Sequence, residues 1–185
     1  SHDDEFVRWL DLNVCQQQQQ GYSMVSIFLP LGDISADQLR SLAQFCRKYV
    51  KDTVRTTVDQ NLLVRWVSNG DLGDFYNALK DLSLAQTGAG SLRDVTACPG
   101  TDSCKLGITS SRGLAALLHD KFNNGLGDIA DRKDLKIKIS GCFNSCGQHH
   151  IVRLDQLQNG VHFGKQTALA VQYICLLYTS DAADE

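Results

Sequence analysis

No stretch of this 185-residue sequence approaches the ~20 consecutive apolar residues that a bilayer-spanning helix requires, and no signal peptide opens it. A membrane is therefore not an expected partner, and the expected location is cytoplasmic. Runs of Lys and Arg are also missing, as is any stripe of alternating basic and aromatic residues, so nucleic acid is not an expected partner either. Cysteine is present without the density of a secreted disulfide scaffold: there are seven thiols, an odd number. A reducing compartment follows, with thiols available for metal. Methionine is nearly absent. The sole Met is Met24, and the start Ser1-His2-Asp3-Asp4-Glu5 has no initiator, so the chain is expected to be a fragment or a processed product.

What is there in quantity is apolar side chain, 43% of residues, enough core for one large domain or two small ones. The net charge of −3 is unevenly laid out. Residues 1–92 carry 8 Lys/Arg against 11 Asp/Glu, residues 93–165 carry 10 against 7, and the last twenty hold 3 acids and no Lys or Arg. The later half is locally basic, which suits an anionic cofactor or substrate.

That half also holds two cysteine pairs. Cys98-Pro99-Gly100-Thr101-Asp102-Ser103-Cys104 has five residues between its thiols, and Gly141-Cys142-Phe143-Asn144-Ser145-Cys146-Gly147 has three. Four soft ligands on two glycine-containing loops are what an iron–sulfur cluster or a zinc ion needs, since thiolates supply charge and glycines let the backbone wrap close. Spacing leaves both metals open, although structural zinc sites favour gaps of about two to four residues.

Taken in order, the polar tract Gln16–Gln20 reads as a solvated connection. Tyr22 to Leu29 is a β-rich run stopped by Pro30. Ser35 with Gln38 forms a capping box opening a helix to about Lys51, with Leu39, Leu42, Ala43, Cys46, Tyr49 and Val50 on its apolar face. Cys46 is thereby a core residue. Thr53–Val58 and Leu62–Val67 predict two strands around an Asp59-Gln60-Asn61 turn, and Asp71 is expected to cap a helix carrying Phe75, Ala78, Leu79 and Leu82. The Gly88-Ala89-Gly90 break turns the chain into a strand over Leu92–Ala97. The resulting order, β-α-β-β-α-β, is the ferredoxin-like arrangement. Beyond Cys104, Thr109-Ser110-Ser111 begins a helix with Leu114, Leu117, Leu118 and Phe122 on one side, closed by Asn123-Asn124-Gly125. Leu135–Ser140 alternates as a strand, and further strands are expected at Ile151–Leu154 and Thr167–Tyr173. Each cysteine pair sits just beyond a strand, where a rigid scaffold can hold ligands.

The run Val95-Thr96-Ala97-Cys98-Pro99-Gly100-Thr101-Asp102-Ser103-Cys104-Lys105-Leu106-Gly107, followed by Gly141 to His150, resembles the siroheme and [4Fe-4S] region of nitrite/sulfite reductases. The upstream block resembles that family's ferredoxin-like half-domain, with Arg55-Thr56-Thr57 and Gln60-Asn61-Leu62 matching the motif that closes over the porphyrinoid. The resemblance spans about residues 5–173. It implies that Cys98, Cys104, Cys142 and Cys146 hold one [4Fe-4S] cluster, with Cys146 also the axial ligand of siroheme iron. It implies a six-electron reduction of nitrite to ammonia or sulfite to sulfide, with ferredoxin the expected electron donor. Arg55, Thr57, Gln60, Asn61 and Asn144 are carried over as cofactor-contacting residues. Lys105 and Arg112 are further candidates for siroheme carboxylates, and His149 and His150 are expected in supporting roles.

The expected chain is thus α+β. Residues 1–20 are an N-terminal connection, 21–92 a ferredoxin-like half-domain, 93–173 an incomplete siroheme/[4Fe-4S]-binding domain, and 174–185, including Cys175, a non-native tail. In the family a paired half-domain and the substrate-binding basic residues lie upstream, so the missing N-terminal half is an expected partner and no catalytic residue is assigned within this chain. Two other classes compete: an iron–sulfur electron-transfer protein without siroheme, and a zinc-stabilised binding module.

Overall fold

The computed structural model describes residues 2–50, 54–148 and 173–178. It divides into two compact units, Ser1–Gly90 and Ser91–Glu185.

The first unit runs α1 (His2–Asn13), β1 (Val14–Gln16), β2 (Tyr22–Ile27), α2 (Ala36–Tyr49), β3 (Val54–Thr56), β4 (Leu62–Ser68) and α3 (Leu72–Asp81). Alternation in β2 turns Ser23, Val25 and Ile27 inward, and Pro30 opens a single 3-10 turn that ends the extended run. The capping box forms: the Gln38 N–H donates to Ser35 Oγ at 3.1 Å, and the Ser35 N–H donates to Gln38 Oε1 at 3.0 Å. Leu42 and Cys46 of α2 are buried, but Leu39 is 48% exposed and Ala43 is exposed too. Phe45 takes their place, 4.7 Å ring to ring from both Tyr49 and Phe75. The aromatic residue draws the buried stripe around the helix, away from Leu39 and Ala43. Asp71 does not cap α3. A 3-10 turn over Asn69–Asp71 leads into the helix, and the Asp71 side chain makes no capping hydrogen bond.

The sheet is antiparallel with strand order β1-β2-β4-β3. Three of its strands are those expected, but the fourth is not Leu92–Ala97. It is β1, which precedes the others and pairs Val14 with Val25 and Gln16 with Ser23. Residues 1–20, expected as a connection, thus carry a helix and a strand. Helix α1 puts Trp9 into the core at 0% exposure, its ring 5.1 Å from that of Tyr76 and tilted 53° to it. Gln17–Gln20 make the turn between β1 and β2, and Gln17 Oε1 accepts the Trp66 N–H at 2.8 Å. Trp66 lies on β4, where the register with β2 slips, and its backbone has φ 65.

The second unit contains β5 (Thr96–Ala97), α4 (Ser111–Asn124), the short α5 (Gly127–Ala130), β6 (Leu135–Ser140) and β7 (Tyr173–Tyr178). The strand expected over 92–97 is paired only at Thr96 and Ala97, although residues 91–98 are buried throughout. Strand β5 runs parallel to β6, pairing Ala97 with Ile139, and the crossover such a pair needs is supplied by α4 and α5. Ser110 caps α4 by accepting the Gly113 N–H at 3.2 Å. Ala115 and Phe122 face inward, whereas Leu117 is 65% exposed. Strand β7 pairs antiparallel with all of β6, from Leu135↔Tyr178 to Ser140↔Tyr173. Residues 174–178 of the expected non-native tail therefore form a paired strand. The strand expected at Ile151–Leu154 and most of Thr167–Tyr173 lie outside the described residues.

Candidate metal centre

Two parallel strands end side by side, and that is what brings Cys98 against the start of the second cysteine loop. Cys98 follows β5 directly, and its N–H donates to Ile139 O on β6 at 3.1 Å. Two residues beyond the end of β6 comes Cys142. Between them, the Gly141 N–H donates to Cys98 Sγ at 3.2 Å. The Gly141 carbonyl in turn accepts the N–H groups of Ile108 and Thr109 at 2.9 and 3.1 Å. Main chain of one cysteine loop is therefore hydrogen-bonded into the other.

This closeness dictates residue type. A Cβ on Gly141 would stand 2.7 Å from Thr109 O and 2.9 Å from Gly100 Cα, and one on Gly147 would stand 2.0 Å from Ile139 O. Neither position has room for a side chain. The Gly147 N–H is tied down by Ser140 Oγ at 3.0 Å, so the second loop is anchored to the strand at both ends.

Cys98 and Cys142 are each 6% exposed, while Cys104 and Cys146 are exposed. Burial pushes the Cys98 thiol up. Hydrogen bonding with the Ser111 hydroxyl and with the backbone of Gly141 and Gly100 outweighs that and holds it below its ordinary value. A thiol so held favours the thiolate, the form that binds metal. All four expected thiols are free. Among the described residues, no three Cys, His, Asp or Glu side chains stand close enough to share a metal ion. The donor set, the glycine cradle and the N–H aimed at sulfur fit a thiolate-ligated cluster, while the exposed Cys104 and Cys146 stand apart from the buried pair in environment.

The remaining expected residues fall in different settings. Asn144 and Lys105 are exposed on the cysteine loops. Arg112 reaches Asp102 at 3.4 Å, an ion pair that straps α4 to the first loop. His149 and His150 lie outside the described residues. Arg55, Thr57, Gln60 and Asn61 belong to the first unit. Arg55 is exposed on β3. Thr57 Oγ1 accepts the Asn61 N–H at 3.1 Å, and the buried Asn61 Oδ1 accepts the Leu29 N–H at 2.9 Å. Gln60 completes this turn with φ 64. Thr57 and Asn61 therefore build the hairpin loop that follows Arg55.

Two residues of the centre went unread in the sequence. Ser111 lies at 0% exposure against Cys98. Its signal was the triple hydroxyl Thr109-Ser110-Ser111, of which Ser110 is the cap. Lys138 is 5% exposed on β6, and its ammonium donates to Gln148 Oε1 at 2.8 Å, with Thr96 Oγ1 at 3.4 Å. It links the strand before the first cysteine pair to the residue just after the second.

Residues 16–82 match the family model described as the nitrite/sulfite reductase ferredoxin-like half domain. The chain is 27% identical over 139 residues to the chloroplastic ferredoxin–nitrite reductase of Spinacia oleracea, covering 74% of this chain and 23% of that protein. It is 28% identical over 138 residues to a sulfite reductase [ferredoxin] of Mycobacterium tuberculosis, covering 74% and 25%. The solved structure of the Mycobacterium tuberculosis NirA protein superposes with a TM-score of 0.61 at 27% identity, over 74% of this chain and 25% of that one.

Over residues 16–82 the chain is similar to the nitrite/sulfite reductase family.

The matching residues 16–82 lie in the first unit and combine helices and strands, as expected for a ferredoxin-like half domain. A dissimilatory sulfite reductase I structure shares the fold, with a TM-score of 0.57 at 14% identity. The chain spans about a quarter of the length of the curated relatives it matches. No helix among the described residues is long and apolar enough to cross a membrane.

Proposed function

We propose that this chain contributes the [4Fe-4S]-holding part of a siroheme-dependent nitrite or sulfite reductase. One observation carries the reading: parallel strands ending side by side bring Cys98 against the start of the second cysteine loop, where the Gly141 N–H already donates to Cys98 sulfur at 3.2 Å. Hydrogen bonds to ligating sulfur are among the levers by which a protein sets a cluster's potential. The thiolates of Cys98, Cys104, Cys142 and Cys146 would hold the cluster, and that of Cys146 would also ligate siroheme iron. When bound, these groups supply electrons to the anion one at a time.

The chain's own residues do the holding and aiming. Gly141 and Gly147 let the main chain close behind the sulfurs. Ser140 and Lys138 fix the second loop to its strand through the Gly147 N–H and Gln148. In the first unit, the hairpin loop built by Thr57 and Asn61, with Gln60 at its bend, follows Arg55, whose guanidinium would pair with siroheme carboxylates. Asn144, exposed between Cys142 and Cys146, would offer an amide to a cluster sulfur. Names of relatives such as ferredoxin–nitrite reductase support a ferredoxin as the donor.

The test is anaerobic iron and acid-labile sulfide analysis with EPR on the chain and its Cys146→Ser variant. Four irons and four sulfides per chain, lost or spectroscopically altered in the variant, are expected. Zinc without sulfide would overturn the reading in favour of a structural metal module.

A further inference from the structure

Ser111 opens α4 with its hydroxyl turned away from solvent, at 0% exposure. Oγ donates to the Cys98 carbonyl oxygen at 2.7 Å and lies 3.3 Å from Cys98 Sγ. A serine hydroxyl has one proton and two lone pairs. While Cys98 is a neutral thiol both contacts are satisfied, because the hydroxyl donates to the carbonyl and accepts from S–H. A metal-bound thiolate has no proton to give, so carbonyl and sulfur then compete for the one hydroxyl proton. Hydrogen bonds to an ionised acceptor are roughly twice as strong as neutral ones, and burial leaves the charged sulfur few other sources of stabilisation.

The space for this hydroxyl is made by glycines. Gly100 has φ 55, and a Cβ there would stand 2.4 Å from Ser111 Oγ; one on Gly141 would stand 3.3 Å from it. Any side chain at Gly100 would evict the hydroxyl. The sulfur thus has a backbone donor from Gly141 on the second loop and a side-chain hydroxyl beside it from the start of α4.

We propose that Ser111 donates its hydroxyl hydrogen bond to the Cys98 sulfur once that sulfur ligates metal, and so raises the reduction potential of the centre. The proposal rests on the reading that Cys98 is a cluster ligand. Reduction adds negative charge that spreads onto ligating sulfurs, and a donor there stabilises the reduced form more than the oxidised one. Ser111 acts through Cys98 and is a positioning residue.

The experiment reconstitutes the full chain anaerobically as wild type, Ser111→Ala and Ser111→Thr. It reads iron and sulfide content and then the midpoint potential by EPR-monitored titration. The expected result is an unchanged iron-to-sulfide ratio in all three, a more negative potential in the Ala variant, and the wild-type value restored by Thr. An equal or more positive potential in a fully loaded Ala variant overturns the proposal and leaves the hydroxyl as a brace for the Cys98 carbonyl. Wild type free of iron and sulfide instead defeats the cluster reading itself. Should the Ala variant fail to assemble, pulsed ENDOR of reduced wild type after brief transfer into D2O decides. Loss of a rapidly exchanging coupled proton supports the hydroxyl donor, and no loss overturns it.

Discussion

At the scale of single residues, the centre depends on side chains that are missing. Gly147 sits where a Cβ would press to 2.0 Å of Ile139 O, and a strand carbonyl already in a ladder cannot swing aside as a flexible side-chain tip would. Gly147→Ala is therefore expected to destabilise the second unit by about 1–3 kcal/mol, in the range of overpacked interiors. Urea unfolding followed by circular dichroism reads this, and an unchanged midpoint would contradict the packing. The same scale explains what could and could not be read from the sequence. The glycines and cysteines stood out because few other residues tolerate those positions. Ser111 did not, because a hydroxyl at a helix start is ordinarily a cap, and only the fold distinguishes Ser110, which caps, from Ser111, which turns inward.

At the scale of elements, legibility followed the length of the pattern. Helix α2 was readable from its capping box, although its buried stripe turned out to centre on Leu42, Phe45 and Cys46, because the aromatic contacts with Tyr49 and Phe75 draw it round. Strand β1 was not readable: Val14-Cys15-Gln16 is too short to alternate, and only pairing with β2 makes it a strand. Helix α1 did have a signal, with Phe6, Trp9, Leu10 and Asn13 at i, i+3, i+4 and i+7, obscured by the acidic start and the glutamine tract. Its importance can be measured. Trp9→Ala removes a side chain of 0% exposure that packs against the Tyr76 ring and is expected to cost about 3–5 kcal/mol. A loss below about 1 kcal/mol in chemical denaturation, within the range of ordinary surface substitutions, would mean that α1 is not part of the core.

For the whole molecule, charge and chemistry part company. The later half is the more basic, yet many of its cations are committed to structure: Arg93 to Asp131 at 2.9 Å, Arg112 to Asp102 at 3.4 Å, and Lys138 to Gln148 at 2.8 Å. Cations so engaged hold loops and helices in place and are poorly suited to clamping an oxyanion. The 185-residue chain, even fully loaded with metal, is accordingly expected to reduce neither nitrite nor sulfite above background with a chemical electron donor. Ammonia or sulfide production at a rate abolished by Cys146→Ser would overturn this.

Strand β1 carries a last consequence, which concerns time. Because the first sheet takes its fourth strand from ahead of β2, every strand of that sheet has been translated by Ser68. Helix α3 follows by Asp81, and the bonds linking Asn13 to Gln86 and Gly88 come soon after. On a ribosome, where domains fold in order of emergence, the half domain can close before Cys98 emerges. Cys98, Cys104, Cys142 and Cys146 then emerge behind a finished neighbour, and the second unit folds without competition from an unfinished first one.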